Sequence, residues 1–177
     1  MSQSAQENLV HRAMAGEEGA FDALVGPFIG AAYQMAVTIL KDREEARDAV
    51  QEASLKCWKK LGQLQIGMPI RPWFLAIVAN QCRSVRRSRW WRVVKMADPP
   101  APSVGSEDRL VLKADLDRAL DHLRADDRVA LFLNFYLDLP MEQVAEVLGL
   151  SVPATKARIY RALRKLRPGL EVQEVNG

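Results

Sequence analysis

A basic and aromatic segment near the middle of the chain, RSVRRSRWWRVVK, spans residues 83–95 and holds the side chains best suited to bind a polyanion. It contains six basic residues, two adjacent tryptophans and no acidic residue. Arginine and lysine bind phosphate groups, and indole rings can stack on unpaired bases. The segment therefore predicts a nucleic-acid interface. For Trp90 and Trp91 themselves, we favour packing against their own domain over stacking on bases.

Side chains that could perform catalysis or bind a metal do not form any motif. The sequence has no nucleophile elbow, no glycine-rich phosphate loop and no metal-ligand spacing, and His11 and His122 are isolated. Cys57 and Cys82 each lie in an apolar helical context, which predicts buried free thiols in a reducing compartment. We therefore expect a protein that is not an enzyme, without catalytic residues, a metal site or a cofactor.

The charge of the chain is segregated although its total is small. The 177 residues carry a formal net charge of +3, yet residues 63–97 contain seven basic side chains and no acidic one. Residues 98–127 contain eight acidic and four basic side chains, and residues 128–177 are basic again, with seven against five. Two basic zones separated by an acidic one predict a polyanion that is contacted in two places.

Nearly every segment has the apolar period of a helix, and no segment shows the alternation of a strand. The expected helices cover about residues 4–15, 18–40, 42–61, 72–95, 106–123, 126–137, 140–148 and 152–166. Ser4, Asp42 and Asp126 are the expected N-caps of the first, third and sixth of these helices. Between the two sets of helices, ADPPAPSVGSED is rich in proline and acid and predicts an extended linker. The expectation is an all-α fold of two small helical domains, residues 1–96 and 113–177, joined by a flexible linker over residues 97–112. The C-terminal domain is predicted to be a helix-turn-helix.

The third predicted helix, DREEARDAVQEASLKCWKKL, has a polar face at spacings of three and four residues. This face consists of Asp48, Gln51, Glu52 and Leu55. It could meet a basic helical surface of a partner, or it could be an ordinary solvated face. On these residues alone, we favour the solvated face.

The C-terminal stretch MEQVAEVLGLSVPATKARIYRAL has the pattern of a helix-turn-helix. Gly149 suits the positive φ that ends a helix, and Ile159, Leu163 and Leu166 continue an apolar seam along the last helix. Polar residues near the start and along the other side of that helix are Thr155, Lys156, Arg158 and Arg161. A DNA-recognition helix and a helical hairpin with a solvated basic face both fit, and we favour DNA recognition.

Four motifs in this order resemble the extracytoplasmic-function (ECF) group of bacterial sigma factors, within the primary-sigma superfamily. They are GEEGAFDALV, EEARDAVQEASLKCW, RPWFLAIVANQCRSVRR and LPMEQVAEVLGLSVPATKARIYRALRKLR. The resemblance implies a sigma factor that binds core RNA polymerase and recognises the −35 and −10 elements of a promoter. It also implies that the protein stabilises the melted −10 strand.

The resemblance assigns a role to each surface. Docking on the β′ clamp helices of core polymerase would use Asp48, Gln51, Glu52 and Leu55. Contacts with the −10 element would use Leu64, Gln65, Asn80, Arg83, Arg86, Arg87 and Arg89. The loop Gln63–Ile70 would hold a flipped −10 base. Contacts with the −35 element would use Ser151, Thr155, Lys156, Arg158 and Arg161.

The resemblance also implies partners and a location. The expected partners are core RNA polymerase, through its β′ clamp helices and β flap, and promoter DNA, with an anti-sigma factor as a further candidate. We expect a cytoplasmic protein with no membrane insertion, because the apolar run at residues 28–40 is too short and too polar to span a bilayer. Two alternatives stay open: a helix-turn-helix repressor or activator, and a peripheral membrane protein anchored by RRSRWWRVVK.

Overall fold

The computed structural model describes residues 3–65, 67–95 and 119–171. Within these ranges the chain is helical apart from short turns and contains no strand. It divides into two compact units, Met1–Pro99 and Pro100–Gly177. The all-α prediction is therefore confirmed, whereas the predicted linker at residues 97–112 lies outside the described residues.

The N-terminal unit is a four-helix assembly. Its helices are α1 (Gln3–Met14), α2 (Glu18–Leu40), α3 (Arg43–Lys60) and α4 (Ile70–Lys95). A single 3₁₀ turn, Leu61–Gln63, leads from α3 into the loop before α4. Helix α2 packs against the other three helices, and α3 packs closely on α4. Two long helices, α3 and α4, are thereby held side by side.

Helix α2 is the central core helix of this unit. Leu24, Met35 and Ala36 on α2 are completely buried. By length and composition, Gly19–Leu40 could cross a membrane, so the expectation that this region is too short and too polar is wrong for the full helix. Its buried contacts with three neighbouring helices explain the apolar composition, since the core helix of a water-soluble domain needs the same residues.

The starts of the helices follow capping chemistry, with two shifts from the predicted positions. The Glu45 backbone N–H donates to Asp42 Oδ1 at 2.9 Å, which confirms Asp42 as the N-cap of α3. Helix α1 already includes Ser4, so that residue is not its cap. Helix α4 begins at Ile70 and contains Pro72 in its first turn, where a missing N–H costs no intrahelical bond.

The C-terminal unit contains three described helices and a wide turn. These are α5 (Ala125–Leu131), a π-helical turn (Phe132–Tyr136), α6 (Met141–Leu148) and α7 (Val152–Glu171), and residues 119–121 are helical as well. Helix α7 packs on both α5 and α6. The buried side chains include Val129, Leu133, Val144, Val147, Ile159 and Leu166. Leu163, a predicted core residue, is 39% exposed instead.

The turn of the helix-turn-helix and the helix before it, α6, are correctly predicted, whereas the predicted helix at residues 126–137 is not. Gly149 has φ +67° and ends α6 in the left-handed conformation, which its lack of a Cβ permits. Asp126 does not cap α5, because Arg124 holds the extended N-cap position and the helix begins at Ala125. The predicted continuous helix at residues 126–137 widens at Phe132, whose carbonyl accepts the Leu137 N–H at 3.0 Å.

Candidate functional site

Helix α3 presents an acidic groove to solvent where it lies against α4. The groove has a volume of about 420 Å³, and its lining residues are Asp48, Ala49, Gln51, Glu52, Leu55, Gln81 and Val85. The three polar α3 residues are exposed, and Leu55 is 54% exposed. The structure therefore brings all four predicted docking residues together.

The pattern of buried residues along α3 fixes the direction in which its acidic face points. The buried α3 residues are Ala46, Ala49, Val50, Ala53 and Cys57. Their small side chains allow α3 to approach its neighbours closely and leave the acidic face to solvent. Lys56 reaches across the helix pair, with its Nζ donating to Gln81 Oε1 at 2.6 Å and lying 3.6 Å from Glu52 Oε1.

Gln81 and Val85 of α4 also line the groove, although no sequence pattern indicated them. They are four residues apart and therefore lie on one face of α4, but that face could not be assigned to α3 before the packing of the two helices was known. The acidic groove is thus a surface shared by two helices rather than the face of one.

The second half of α4 forms a basic face. Arg86 and Arg87 are exposed, and Arg83 Nη1 donates to Asn80 Oδ1 at 2.6 Å. A helical spacing of three and four residues places these side chains one turn apart. The predicted −10 residues of α4 up to Arg87 therefore occupy a single stretch of helix, with amide and guanidinium groups that can bind base edges and phosphates.

Arg89 differs from the other predicted −10 residues because it is engaged within the unit. Its Nη1 lies 3.5 Å from Glu45 Oε2 on α3, and 37% of its side chain is exposed. The ion pair joins the far half of α4 to the start of α3. Arg89 thus forms an ion pair between two helices that the sequence did not indicate, since Glu45 is 44 residues away.

The two tryptophans contact each other, and both are exposed. Trp90 is 58% exposed and Trp91 is 54% exposed, and their rings meet edge to face with centroids 4.9 Å apart. The interpretation that they pack against their own domain is therefore wrong. The rings lie four residues beyond Arg86 and Arg87, respectively, so each follows an exposed arginine by about one helical turn.

The loop before α4 contains a tight turn. The Met68 N–H donates to Gln65 O at 3.1 Å, and Gly67 has φ +86°, a conformation that suits glycine. Gln65 is exposed and Leu64 is half-buried. Both predicted −10 residues of this loop therefore retain a surface that a ligand can reach, whereas Ile66 lies outside the described residues.

The last helix presents only part of its predicted −35 set to solvent. Ser151, Lys156 and Arg161 are exposed. Ser151 caps α7, since its Oγ accepts the Ala154 N–H at 3.3 Å. These three side chains can contact DNA without any rearrangement of the unit.

Thr155 and Arg158 face inward to different extents. Thr155 is completely buried, and its hydroxyl donates to the Ser151 carbonyl at 3.0 Å, so the prediction that this side chain contacts DNA is wrong. Arg158 Nη1 lies 3.5 Å from Asp126 Oδ2 and 4.0 Å from Asp127 Oδ1. In the described part of the chain, Arg158 Nε is buried without a hydrogen-bond partner. Part of Arg158 thus serves the packing of α7 on α5.

The two cysteine thiols are unreactive because they are buried. Cys57 and Cys82 are free and buried, and burial raises the pKa of each thiol to about 12. Such thiols stay protonated at neutral pH and are poor nucleophiles and poor metal ligands. Among the residues that the structure describes, no group of three or more His, Cys, Asp or Glu side chains could hold a metal ion.

Comparison with known proteins agrees with the division of the chain into two units. Residues 24–92 match the family described as Sigma-70 region 2, and residues 113–166 match Sigma-70, region 4. The chain is 29% identical over 145 residues to RNA polymerase sigma factor SigV of Bacillus subtilis, which covers 81% of this chain and 87% of SigV. It is 29% identical over 174 residues to ECF RNA polymerase sigma factor SigL of Mycobacterium tuberculosis, covering 94% and 96%.

A solved structure shows the same fold. The sigma factor RpoE, crystallised with the anti-sigma factor NepR from Bartonella quintana, superposes with a TM-score of 0.75 at 26% identity. The match covers 86% of this chain and 97% of RpoE. The chain belongs to the ECF group of bacterial sigma factors. It is therefore a non-enzymatic subunit that directs transcription initiation by RNA polymerase, which decides against the repressor and the membrane-anchor alternatives.

Proposed function

We propose that the acidic groove docks this sigma factor on core RNA polymerase, at the β′ clamp helices. Asp48 and Glu52 supply the charge, and the exposed Leu55 supplies an apolar anchor in the same groove. Exposed carboxylates beside an exposed leucine complement a basic helical surface that also has apolar side chains. Gln81 and Val85 extend the groove onto α4, so both helices contribute to docking.

The basic face of α4 is proposed to bind the −10 element. Arg86 and Arg87 would hold phosphates, and the hydrogen-bonded pair Asn80–Arg83 would approach base edges. Leu64 and Gln65 in the loop before α4 would line the pocket for an unstacked −10 base. Extraction of a base costs a few kcal/mol, which such contacts must offset.

The exposed tryptophan pair extends this surface toward the end of α4. Two indole rings that face solvent beside arginines are suited to stack on unpaired bases or sugars at the upstream edge of the bubble. In this proposal the Arg89–Glu45 ion pair holds the neighbouring part of α4 against α3. Trp90 and Trp91 thereby become DNA contacts rather than core residues.

The start of α7 is proposed to enter the major groove at the −35 element. Lys156 and Arg161 would contact base edges or phosphates, and Ser151 would contribute its exposed side while capping the helix. Arg158 would reach DNA only with the part of its guanidinium that Asp126 and Asp127 leave accessible.

The single observation that carries this assignment is the separation of charge on adjacent helices of one unit. Helix α3 turns carboxylates to solvent, while the second half of α4 has arginines and no acid. Transcription in vitro with core polymerase on a randomised promoter library tests it. We expect enrichment of two short elements separated by a fixed spacing, and none in the absence of this chain.

Tight and specific DNA binding by the isolated chain, with no effect of core polymerase, would contradict the assignment. The functional domains that we propose are residues 1–96 for docking and −10 binding and residues 113–177 for −35 binding, with residues 97–112 as the connection. We also propose a cytoplasmic location, a contact of the C-terminal domain with the β flap, and control by an anti-sigma factor, as in the complex of RpoE with NepR.

A further inference from the structure

Helix α1 lies ahead of the family-matched residues 24–92, yet one of its side chains is bonded to the loop before α4. Gln6 Nε2 donates to the Met68 carbonyl at 2.8 Å, and Gln6 Oε1 accepts the Ile70 N–H at 3.0 Å. These bonds link residues 62 and 64 positions apart in sequence. One amide therefore ties the start of the chain to the end of the loop.

A glutamine amide is chemically matched to this position. It can donate and accept at the same time, which is what a carbonyl and an N–H two residues apart require. Pro69 between them has no N–H to offer. The Ile70 N–H belongs to the first residue of α4 and has no acceptor within that helix. Gln6 therefore acts as a cap for α4, supplied from another helix.

Helix α1 also contacts the other end of the loop. Met14 Cε lies 3.6 Å from the position that a Cβ on Gly62 would occupy, so the methionine methyl covers the 3₁₀ turn after α3. Between these two contacts lies the tight turn closed by Met68 and Gln65. The loop is thus held at both ends by one helix, while Gln65 is exposed near its middle.

We infer that Gln6 is a positioning residue for the −10 loop: it fixes Met68–Ile70 against α1 and so sets the place of Leu64 and Gln65 relative to α4. This inference rests on the proposed base-binding role of the loop. It predicts that the identity of residue 6 influences the discrimination of one promoter base, although Gln6 itself is not required to touch DNA.

The test uses holoenzyme formed with Gln6→Ala, Gln6→Glu and the control Asn8→Ala. Asn8 is an exposed amide two residues further along the same helix, so its removal matches the chemical change without affecting the loop. Open-complex formation is measured on promoters that carry each of the four bases at every −10 position. Affinity for core polymerase and discrimination at −35 positions are measured in parallel.

We expect Gln6→Ala to reduce discrimination at a single −10 position by about tenfold, because the loop loses both bonds. Gln6→Glu retains the acceptor for the Ile70 N–H and loses the donor, so it should show a smaller loss. Core affinity and −35 discrimination should stay within twofold of wild type in all three variants. Unchanged discrimination by Gln6→Ala would overturn the inference, and so would an equal loss at every position.

Amide hydrogen exchange at Ile70 separates this inference from the role of the loop. Gln6→Ala should increase the exchange rate of the Ile70 N–H by tenfold or more, and Asn8→Ala should leave it unchanged. Faster exchange together with unchanged base discrimination by Leu64→Ala and Gln65→Ala would show that the proposed loop function is wrong while Gln6 still positions the loop. An unchanged exchange rate in Gln6→Ala would show that the positioning role is wrong.

Discussion

Arg158 Nη1 lies 3.5 Å from Asp126 Oδ2, so the helix proposed to read DNA is ion-paired to α5. Asp127, the next residue along, lies 4.0 Å from the same nitrogen and 3.4 Å from Lys165 Nζ. Arg158, which the sequence analysis assigned only to DNA contacts, therefore also contributes to folding. Removal of the Arg158 side chain should therefore change both −35-dependent transcription and the stability of the C-terminal unit.

Replacement of Arg158 by alanine should destabilise the C-terminal unit as well as weaken −35-dependent transcription. Loss of the guanidinium removes its ion pairs with Asp126 and Asp127, at a cost of about 1 kcal/mol. All four tryptophans belong to the N-terminal unit. The loss should therefore appear in unfolding followed by circular dichroism and be absent from tryptophan fluorescence.

Arg161→Ala is the matched control, because Arg161 is exposed on the same helix. It should weaken −35 binding without changing the unfolding free energy. Equal stability of Arg158→Ala and wild type would contradict a structural role for the ion pair.

The double variant Asp48→Ala, Glu52→Ala should weaken binding to core polymerase by about 2 kcal/mol, or roughly 30-fold. Both carboxylates line the acidic groove and are exposed, so the loss reflects the interface and not the fold. Glu44→Ala removes an exposed acid of the same helix that pairs with Arg47 at 3.0 Å outside the groove, and it should bind normally. Full retention of core binding by the double variant in a titration would exclude this docking site.

Trp90→Ala and Trp91→Ala should leave the stability of the N-terminal unit within about 0.5 kcal/mol of wild type, because both rings are more than half exposed. Each should weaken holoenzyme binding to a fork-junction promoter by about 1–3 kcal/mol if its ring stacks on a base. Trp58→Ala is the comparison, since its ring packs edge to face on Phe21 at 5.0 Å. Trp58→Ala should lose stability and keep its DNA affinity. A loss of stability without a loss of DNA affinity in Trp90→Ala and Trp91→Ala would show that these two rings are core residues.

Arg86→Gln and Arg87→Gln should each reduce the salt dependence of promoter binding. A phosphate contact contributes about −0.9 to the slope of log affinity against log salt, so each change should make the slope shallower by about one. Arg47→Gln removes an exposed arginine of α3 that is paired with Glu44, and it should keep the wild-type slope. If all three variants show the same slope, Arg86 and Arg87 do not contact phosphates.

The two buried thiols give a pH prediction. Burial raises the pKa of Cys57 and Cys82 from 9.0 to about 12, so the folded state disfavours the thiolate. Their contribution to stability is present below pH 9 and is lost as the pH rises from 9 toward 12. At pH 8 a thiol reagent should label neither residue in the native chain and both after denaturation. Rapid labelling of native protein would contradict the burial of these groups.

The local features of the fold, which depend on residues close together in sequence, could be predicted from the sequence. The Asp42 cap and the Gly149 turn each follow from residues within four positions of one another, and the acidic face of α3 follows from successive spacings of three and four residues. Thr155 shows the limit of this reasoning. A threonine early in a basic helix suggests a polar surface, but its hydroxyl can bond the carbonyl four residues earlier and its methyl group can enter the core.

Contacts between distant segments were beyond sequence reasoning. The pairs Arg89–Glu45 and Arg158–Asp126 join different helices, and no periodicity encodes them. The tryptophans illustrate the reverse error. Their apolar surface suggested burial, yet each lies on the side of α4 that no other described helix covers sufficiently to bury it. Packing between helices, and not the composition of one helix, decided these cases.

The apolar character of α2 has a consequence for the synthesis of the chain. Its partners α3 and α4 follow it in sequence, so a ribosome releases α2 before any residue that can cover its far side. During that interval α2, which is long and apolar enough to cross a membrane, is exposed to water, where chaperones or targeting factors can bind it. Both α3 and α4 must emerge before their contacts with α2 can form. The basic end of α4 follows directly in the sequence, so the core can close only at about the stage when the proposed promoter-binding surface also emerges.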